Sequence, residues 1–113
     1  MQDLETKTYQ FAVKAIGLIK SLEEKKPETD TIALKQASGA VSLKFIAAME
    51  AKENEQFANN LRECHKQAIK AAAQLKKMKT FNDPGLEEQK IQLLKAADEI
   101  IVELDKIIEK LIY

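Results

Sequence analysis

Leu93-Leu-Lys-Ala-Ala-Asp-Glu-Ile-Ile-Val-Glu-Leu-Asp-Lys-Ile-Ile-Glu-Lys-Leu111 decides the fold class. Leu93, Ala97, Ile100, Leu104, Ile107 and Leu111 follow one another at alternating gaps of four and three. That is the seam of an α-helix packed on other helices, because it keeps one line of side chains facing a neighbour. Leu94, Ile101 and Ile108 form a second line beside it, repeating every seventh residue. Two adjacent lines predict a wide buried face, inside the chain or between subunits. Upstream, Asp83 as cap and Pro84 at the first helical position start this helix, predicted over 84–112.

The same period runs back along the chain. Phe57, Leu61, Cys64, Ala68, Ala72 and Leu75 form one stripe of a helix predicted over 55–79, with Asn54 as its cap. The break that follows it is Phe81-Asn-Asp-Pro-Gly85. Lys52-Glu53-Asn54 is too short to be more than a turn, so the helix before it is an antiparallel neighbour. That helix, predicted over 31–51, starts at Asp30 or Thr31. It is apolar nearly all round, with Ile32, Gly39, Leu43 and Ile46 on one side and Leu34, Val41, Phe45 and Ala48 on the other. A helix of that kind is buried on more than one face. Gly39 costs about 1 kcal/mol relative to Ala in a helix interior, which predicts close approach of a neighbouring backbone. The first helix, predicted over 3–24, carries Leu4, Phe11, Ala15, Leu18 and Leu22 in line, widened by Tyr9, Ala12, Ile16 and Ile19. Pro27 lies in the polar stretch that ends it. The expectation is one all-α domain over 1–113, an antiparallel four-helix bundle.

The 113 residues are 45% hydrophobic and 32% charged, the balance of a folded soluble chain. One cysteine cannot form an intrachain disulfide, and Met1-Gln-Asp-Leu-Glu5 lacks the basic start and apolar run of a signal peptide. No apolar run approaches the roughly 20 residues of a membrane span. Together these point to the cytoplasm.

Catalytic chemistry finds little to work with. Cys64 and His65 are adjacent, but successive helical residues point about 100° apart and do not face each other. Cys64 therefore reads as a small core residue and His65 as a core-edge or surface residue. Glu50, Glu53 and Glu55 cluster at an exposed turn rather than in a cleft that would raise a carboxyl pKa. There is no Glu-x-x-His pair, no metal-ligand spacing and no phosphate-binding glycine loop. The expectation is no enzyme, no cofactor and no metal.

Charge is more informative. The net charge is zero, yet from Glu55 to Thr80 six basic residues meet two acids, a net +4. From Phe81 onward eight acids meet four lysines, a net −4. Arg62, Lys66, Lys70 and Lys77 fall at gaps of four, four and seven on one side of the third helix. Such a line can track phosphates or an acidic partner, although no aromatic residues are interleaved to stack bases. It can equally be solvated, or pair with the acidic fourth helix.

Lys7-Thr-Tyr-Gln-Phe-Ala-Val-Lys14, followed by Ile16, Leu18, Lys20 and Leu22, resembles the opening helix of the bacterial four helix bundle protein family, also called the 23S rRNA intervening-sequence proteins. Leu34-Lys-Gln36 with Ser38-Gly39, and the turn into Phe57 with Leu61 and Lys66-Gln-Ala68, resemble its second and third helices. Where many members carry an Asn-Ile-Ala-Glu-like run, this chain reads Phe45-Ile-Ala-Ala-Met49. The resemblance implies a left-handed up-down-up-down bundle and a ring-shaped homo-oligomer, typically a pentamer. Some members are encoded within rRNA insertions, and related retroelement accessory proteins bind nucleic acid. Two expectations follow. One is a non-enzymatic self-assembling scaffold, with Leu34, Val41, Phe45, Leu94, Ile101 and Ile108 as candidate subunit contacts. The other is an accessory protein that binds RNA or DNA through Arg62, Lys66, Lys70 and Lys77.

Overall fold

Heptad spacing and scarce turn residues produce four long helices: α1 (Gln2–Lys25), α2 (Ile32–Glu50), α3 (Asn54–Lys77) and α4 (Pro84–Ile108). The computed structural model describes residues 2–80 and 82–112. Phe81, part of the break read from the sequence, lies outside the described residues. The described chain is all-α, compatible with a four-helix bundle, and measures 45 × 21 × 19 Å.

Each helix packs on two others in the order α1–α2–α3–α4–α1, and among the described residues the backbones of the diagonal pairs do not approach closely. The α2–α3 pair has the most extensive contact. Small residues make that possible, since Ala37 and Ser38 on α2 and Ala68 and Ala71 on α3 are buried and let the backbones approach. Around them Phe11, Leu18, Leu22, Leu34, Val41, Phe45, Leu61, Leu75, Leu93, Ile100 and Leu104 fill the core. Burial of such side chains contributes about 1.5–3 kcal/mol each against chain entropy. The buried hydroxyl of Ser38 donates to the Leu34 carbonyl at 2.6 Å and that of Thr8 to Glu5 at 3.1 Å, so neither is left unpaired.

The ends show how local chemistry stops and starts the helices. Asp83 caps α4, its Oδ1 accepting from the Leu86 N–H at 3.1 Å, with Pro84 next. The Lys25 ammonium sits 3.0 Å from the other carboxylate oxygen. Together the Leu86 N–H and Lys25 hold the Asp83 carboxyl below the usual carboxylate range. Asn82, just before, takes φ 60°, a left-handed conformation that asparagine tolerates. At α2 the cap position is Thr31, but it is Asp30 whose carboxylate accepts from the Ile32 N–H at 3.1 Å. The cap of α3 is Glu53, and Asn54 is already helical. The α4 helix ends at Ile108, with a turn at 109–110.

Two expectations fail on packing. Gly39 does not serve close approach within the chain, because a Cβ there would meet nothing within 4 Å. The α2 helix is not buried on both sides either. Leu34, Val41, Phe45 and Ala48 are buried, whereas Ile32, Leu43 and Ile46 are exposed.

Candidate functional site

Cys64 is fully buried on α3, and its thiol donates to the Val41 carbonyl on α2 at 3.2 Å. Burial pushes the thiol up to about 12, because an anion there would lose its water without a compensating cation. An activated nucleophile needs the opposite shift. His65 points elsewhere: its Nε2 lies 2.6 Å from Asp105 Oδ1 on α4, without the geometry of a hydrogen bond. Glu50, Glu53 and Glu55 are all exposed, at the end of α2 and the start of α3. Among the described residues no three histidines, cysteines or carboxylates gather as a metal-binding group. Among the described residues no helix is long and apolar enough to cross a membrane.

The basic line lies on the outward side of α3. Lys66, Lys70 and Lys77 are exposed and Arg62 is half-buried. Rows at four-residue spacing drift by about 40° per step around a helix, so the line leans from the α4 flank at Arg62 toward the α2 flank at Lys70. There Lys70 borders a groove of about 530 Å³ floored by Ala33, Ala37 and Ala40 and walled by Gln36, Gln67 and Gln74. Lys77 lies at the mouth of a second hollow of about 310 Å³, beyond Gln74. Lys66, Lys70 and Lys77 make no ion pair among the described residues. Glu63, held below its usual range first by the Gln67 amide, also feels Lys66 and Lys70. Of the α4 acids, Glu103 turns to Lys7 of α1 and Asp105 to His65. Of the readings left open by the sequence, Lys66, Lys70 and Lys77 take the solvated one within the chain.

The candidate subunit contacts are corrected more sharply. Leu34, Val41 and Phe45 are 2%, 0% and 0% exposed, locked in the chain's own core. Leu94, Ile101 and Ile108 are half-buried and pack against that core. Their line flanks the α4 seam, on the side where Asp105 reaches His65, and so widens the seat of α4 on α3.

The apolar surface that does face outward is elsewhere. On α1, Tyr9 (63%), Val13 and Ile16 are exposed, on the side away from Lys7 and its α4 partner. On α2, Leu43 (68%), Ile46 and Met49 are exposed, turned from the alanines that face α3. Gly39 is on this same outward side, one helical turn before Leu43. From Gln36 to Met49 the only charged residue is Lys44. Low charge density was the available signal for this face in the sequence, and apolarity on both sides of α2 hid it.

No family model matches the chain, and no curated protein does. A solved structure is similar: a protein of unknown function from the S23 ribosomal protein family of Bacteroides thetaiotaomicron VPI-5482. It is 21% identical, and the match covers 95% of this chain and 99% of that one at a TM-score of 0.85. At that identity the likeness shows a shared four-helix fold.

Proposed function

We propose that this chain is a non-enzymatic, self-assembling helical bundle that serves as an interaction scaffold in the cytoplasm. In this reading it is a divergent member of the four helix bundle family, one left-handed up-down-up-down domain that closes into a homo-oligomeric ring of five. Contacts running in opposite senses along α3 and α4, from His65–Asp105 to Lys90–Met78, support the antiparallel arrangement. The S23-family neighbour supports the family.

The observation that carries self-assembly is the outward apolar face of α1 and α2. Tyr9, Val13, Ile16, Leu43, Ile46 and Met49 are each at least 40% exposed. They leave on the order of 500 Å² of apolar surface, near the upper end of what a monomer shows to water. A stable interface needs roughly 800 Å² from each partner, which this patch and its polar rim supply. Charge is nearly absent from the middle of the patch, as in the core of subunit contacts. Light scattering on a sizing column at micromolar concentration tests it: a multiple of 12.7 kDa is expected, and a monomer contradicts it.

A second reading has its own observation. Three solvated, unpaired lysines on one side of α3 favour a nucleic-acid-binding accessory protein. Its mark is retention of RNA or DNA at low salt that is lost at high salt and in a Lys66→Glu/Lys70→Glu variant. Indifference to nucleic acid at low salt removes it.

A further inference from the structure

The outward sides of α3 and α4 carry lines of opposite charge in matching patterns, with exposed Lys95 and Lys106 flanking the acidic one. On α3 the exposed lysines Lys66, Lys70 and Lys77 follow at gaps of four and seven. On α4 and its C-cap the exposed acids Asp98, Asp105 and Glu109 follow at gaps of seven and four. One pattern is the reverse of the other. Helices share a rise of about 1.5 Å per residue, so two such lines laid antiparallel match at every position. Lys66 then stands opposite Glu109, Lys70 opposite Asp105 and Lys77 opposite Asp98. The same register places the small side chain of Ala73 opposite Val102, which is 51% exposed. These lines do not meet within one chain, where α3 and α4 touch through His65–Asp105, Lys90–Met78 and Thr80–Glu87. Asp105 gives Oδ1 to His65 and still has 53% of its side chain exposed.

We propose that the α3 lysine line of one copy docks antiparallel on the α4 acidic line of a second copy. The inference rests on the self-assembly reading above and assigns the charged side of the molecule to it, in addition to the apolar α1–α2 face. Charge complementarity selects the occupant. The basic and acidic segments carry equal and opposite net charge, so another copy of the chain supplies both the sign and the spacing each line requires. A nucleic acid would satisfy the lysines alone and be repelled by Asp98, Asp105 and Glu109 on the adjoining helix. Because each copy offers two different lines, both can be engaged at once. Exposed ion pairs contribute little to affinity individually, so their task here is to fix register and to penalise wrong pairings.

Sedimentation velocity at low salt tests this on four chains: wild type, Lys66→Glu/Lys77→Glu, Asp98→Lys/Glu109→Lys, and all four changes together. Circular dichroism checks that each remains helical. Asp105 is left intact, so its contact with His65 is not disturbed. Each half-variant is expected to assemble at least about tenfold more weakly, since like charges then face each other. The fourfold variant is expected to recover wild-type assembly. Half-variants that assemble like wild type overturn this docking while leaving self-assembly in place. The same holds if the lysine variant loses only RNA affinity, which would assign the line to nucleic acid. A wild-type chain that stays monomeric overturns the self-assembly reading itself, before any variant is compared.

Discussion

The thiol of Cys64 on α3 lies 3.2 Å from the carbonyl oxygen of Val41 on α2, inside the contact between the two helices. The helical carbonyl gains an extra donor, and the sulfur is sealed from water. This relationship makes the one cysteine of the chain, read from the sequence as a small core residue, a marker of the folded core.

Its first consequence is chemical. Cys64 is expected to resist alkylation in the native protein at pH 8 and to react fully once the chain is unfolded in guanidinium. The rate of modification then reports opening of the α2–α3 contact. Rapid native labelling, followed by mass spectrometry, would contradict the burial described.

Alkaline pH gives a second consequence with a definite sign. The folded thiol is pushed up to about 12 from an ordinary value of 9.0. Below pH 9 both folded and unfolded chains keep the proton, and the contribution is fully present. Above pH 9 the unfolded chain ionises first, so stability falls by roughly 1.4 kcal/mol for each further pH unit until the folded value is reached. Lys7, raised by its hydrogen bond to Glu103, adds a loss of the same sign above its ordinary value of 10.5. Guanidinium titrations from pH 8 to 11 are expected to show a steeper decline for wild type than for Cys64→Ala. Equal slopes would mean that the thiol is not the cause.

Gly39 predicts opposite effects on the chain and on its assembly. A Cβ meets nothing within 4 Å there, so Gly39→Ala is expected to stabilise the monomer by about 0.5–1 kcal/mol through helix propensity and the unfolded state. In the proposed assembly the added methyl on the outward α2 face is expected to obstruct close approach of another copy. Thermal melts at low concentration and sedimentation at high concentration separate the two effects. Destabilisation at low concentration would show that the site is not open.

Acid tests the α4 cap. Asp83 is held below its ordinary value of 3.8 first by the Leu86 N–H and then by Lys25. Its contribution is present above pH 3.8 and disappears as pH falls through the lower folded value. Asp83→Ala is expected to melt a few degrees lower than wild type at pH 7. That difference should close at pH 2, and a difference that persists there would point to packing rather than charge.

How much of this was legible beforehand varies along the chain. The buried lines of α3 and α4 are readable because polar residues flank them, so the period alone assigns the inward side; on α1 the line Leu4, Phe11, Ala15, Leu18 and Leu22 is buried as read, but Tyr9 and Ile16, read as widening it, are exposed. On α2 that contrast is missing. Ile32, Leu43 and Ile46 are as apolar as Leu34, Val41 and Phe45, and only packing against α1 and α3 decides which set is covered. That is why Leu34, Val41 and Phe45, read as candidate subunit contacts, lie in the chain's own core while the exposed set lies opposite. Leu94, Ile101 and Ile108 are half-buried for a related reason, since a helix seated between two neighbours covers much of a second line within the chain itself. The lysine line was visible as spacing. Its solvation was not, because the partners that claim the α4 acids, Lys7 and His65, lie on other lines, and spacing along one helix does not show which side chains an opposite helix presents.

The central claim is that the exposed apolar face of α1 and α2 is covered by further copies of this chain. A Leu43→Glu/Ile46→Glu variant tests it most directly, because both side chains already point to water and the monomer core is untouched. Light scattering of wild type and variant at equal micromolar concentration is the measurement. The account predicts an oligomeric wild type and a helical, monomeric variant. A variant that keeps the wild-type mass, or a wild type that is already monomeric, would contradict it.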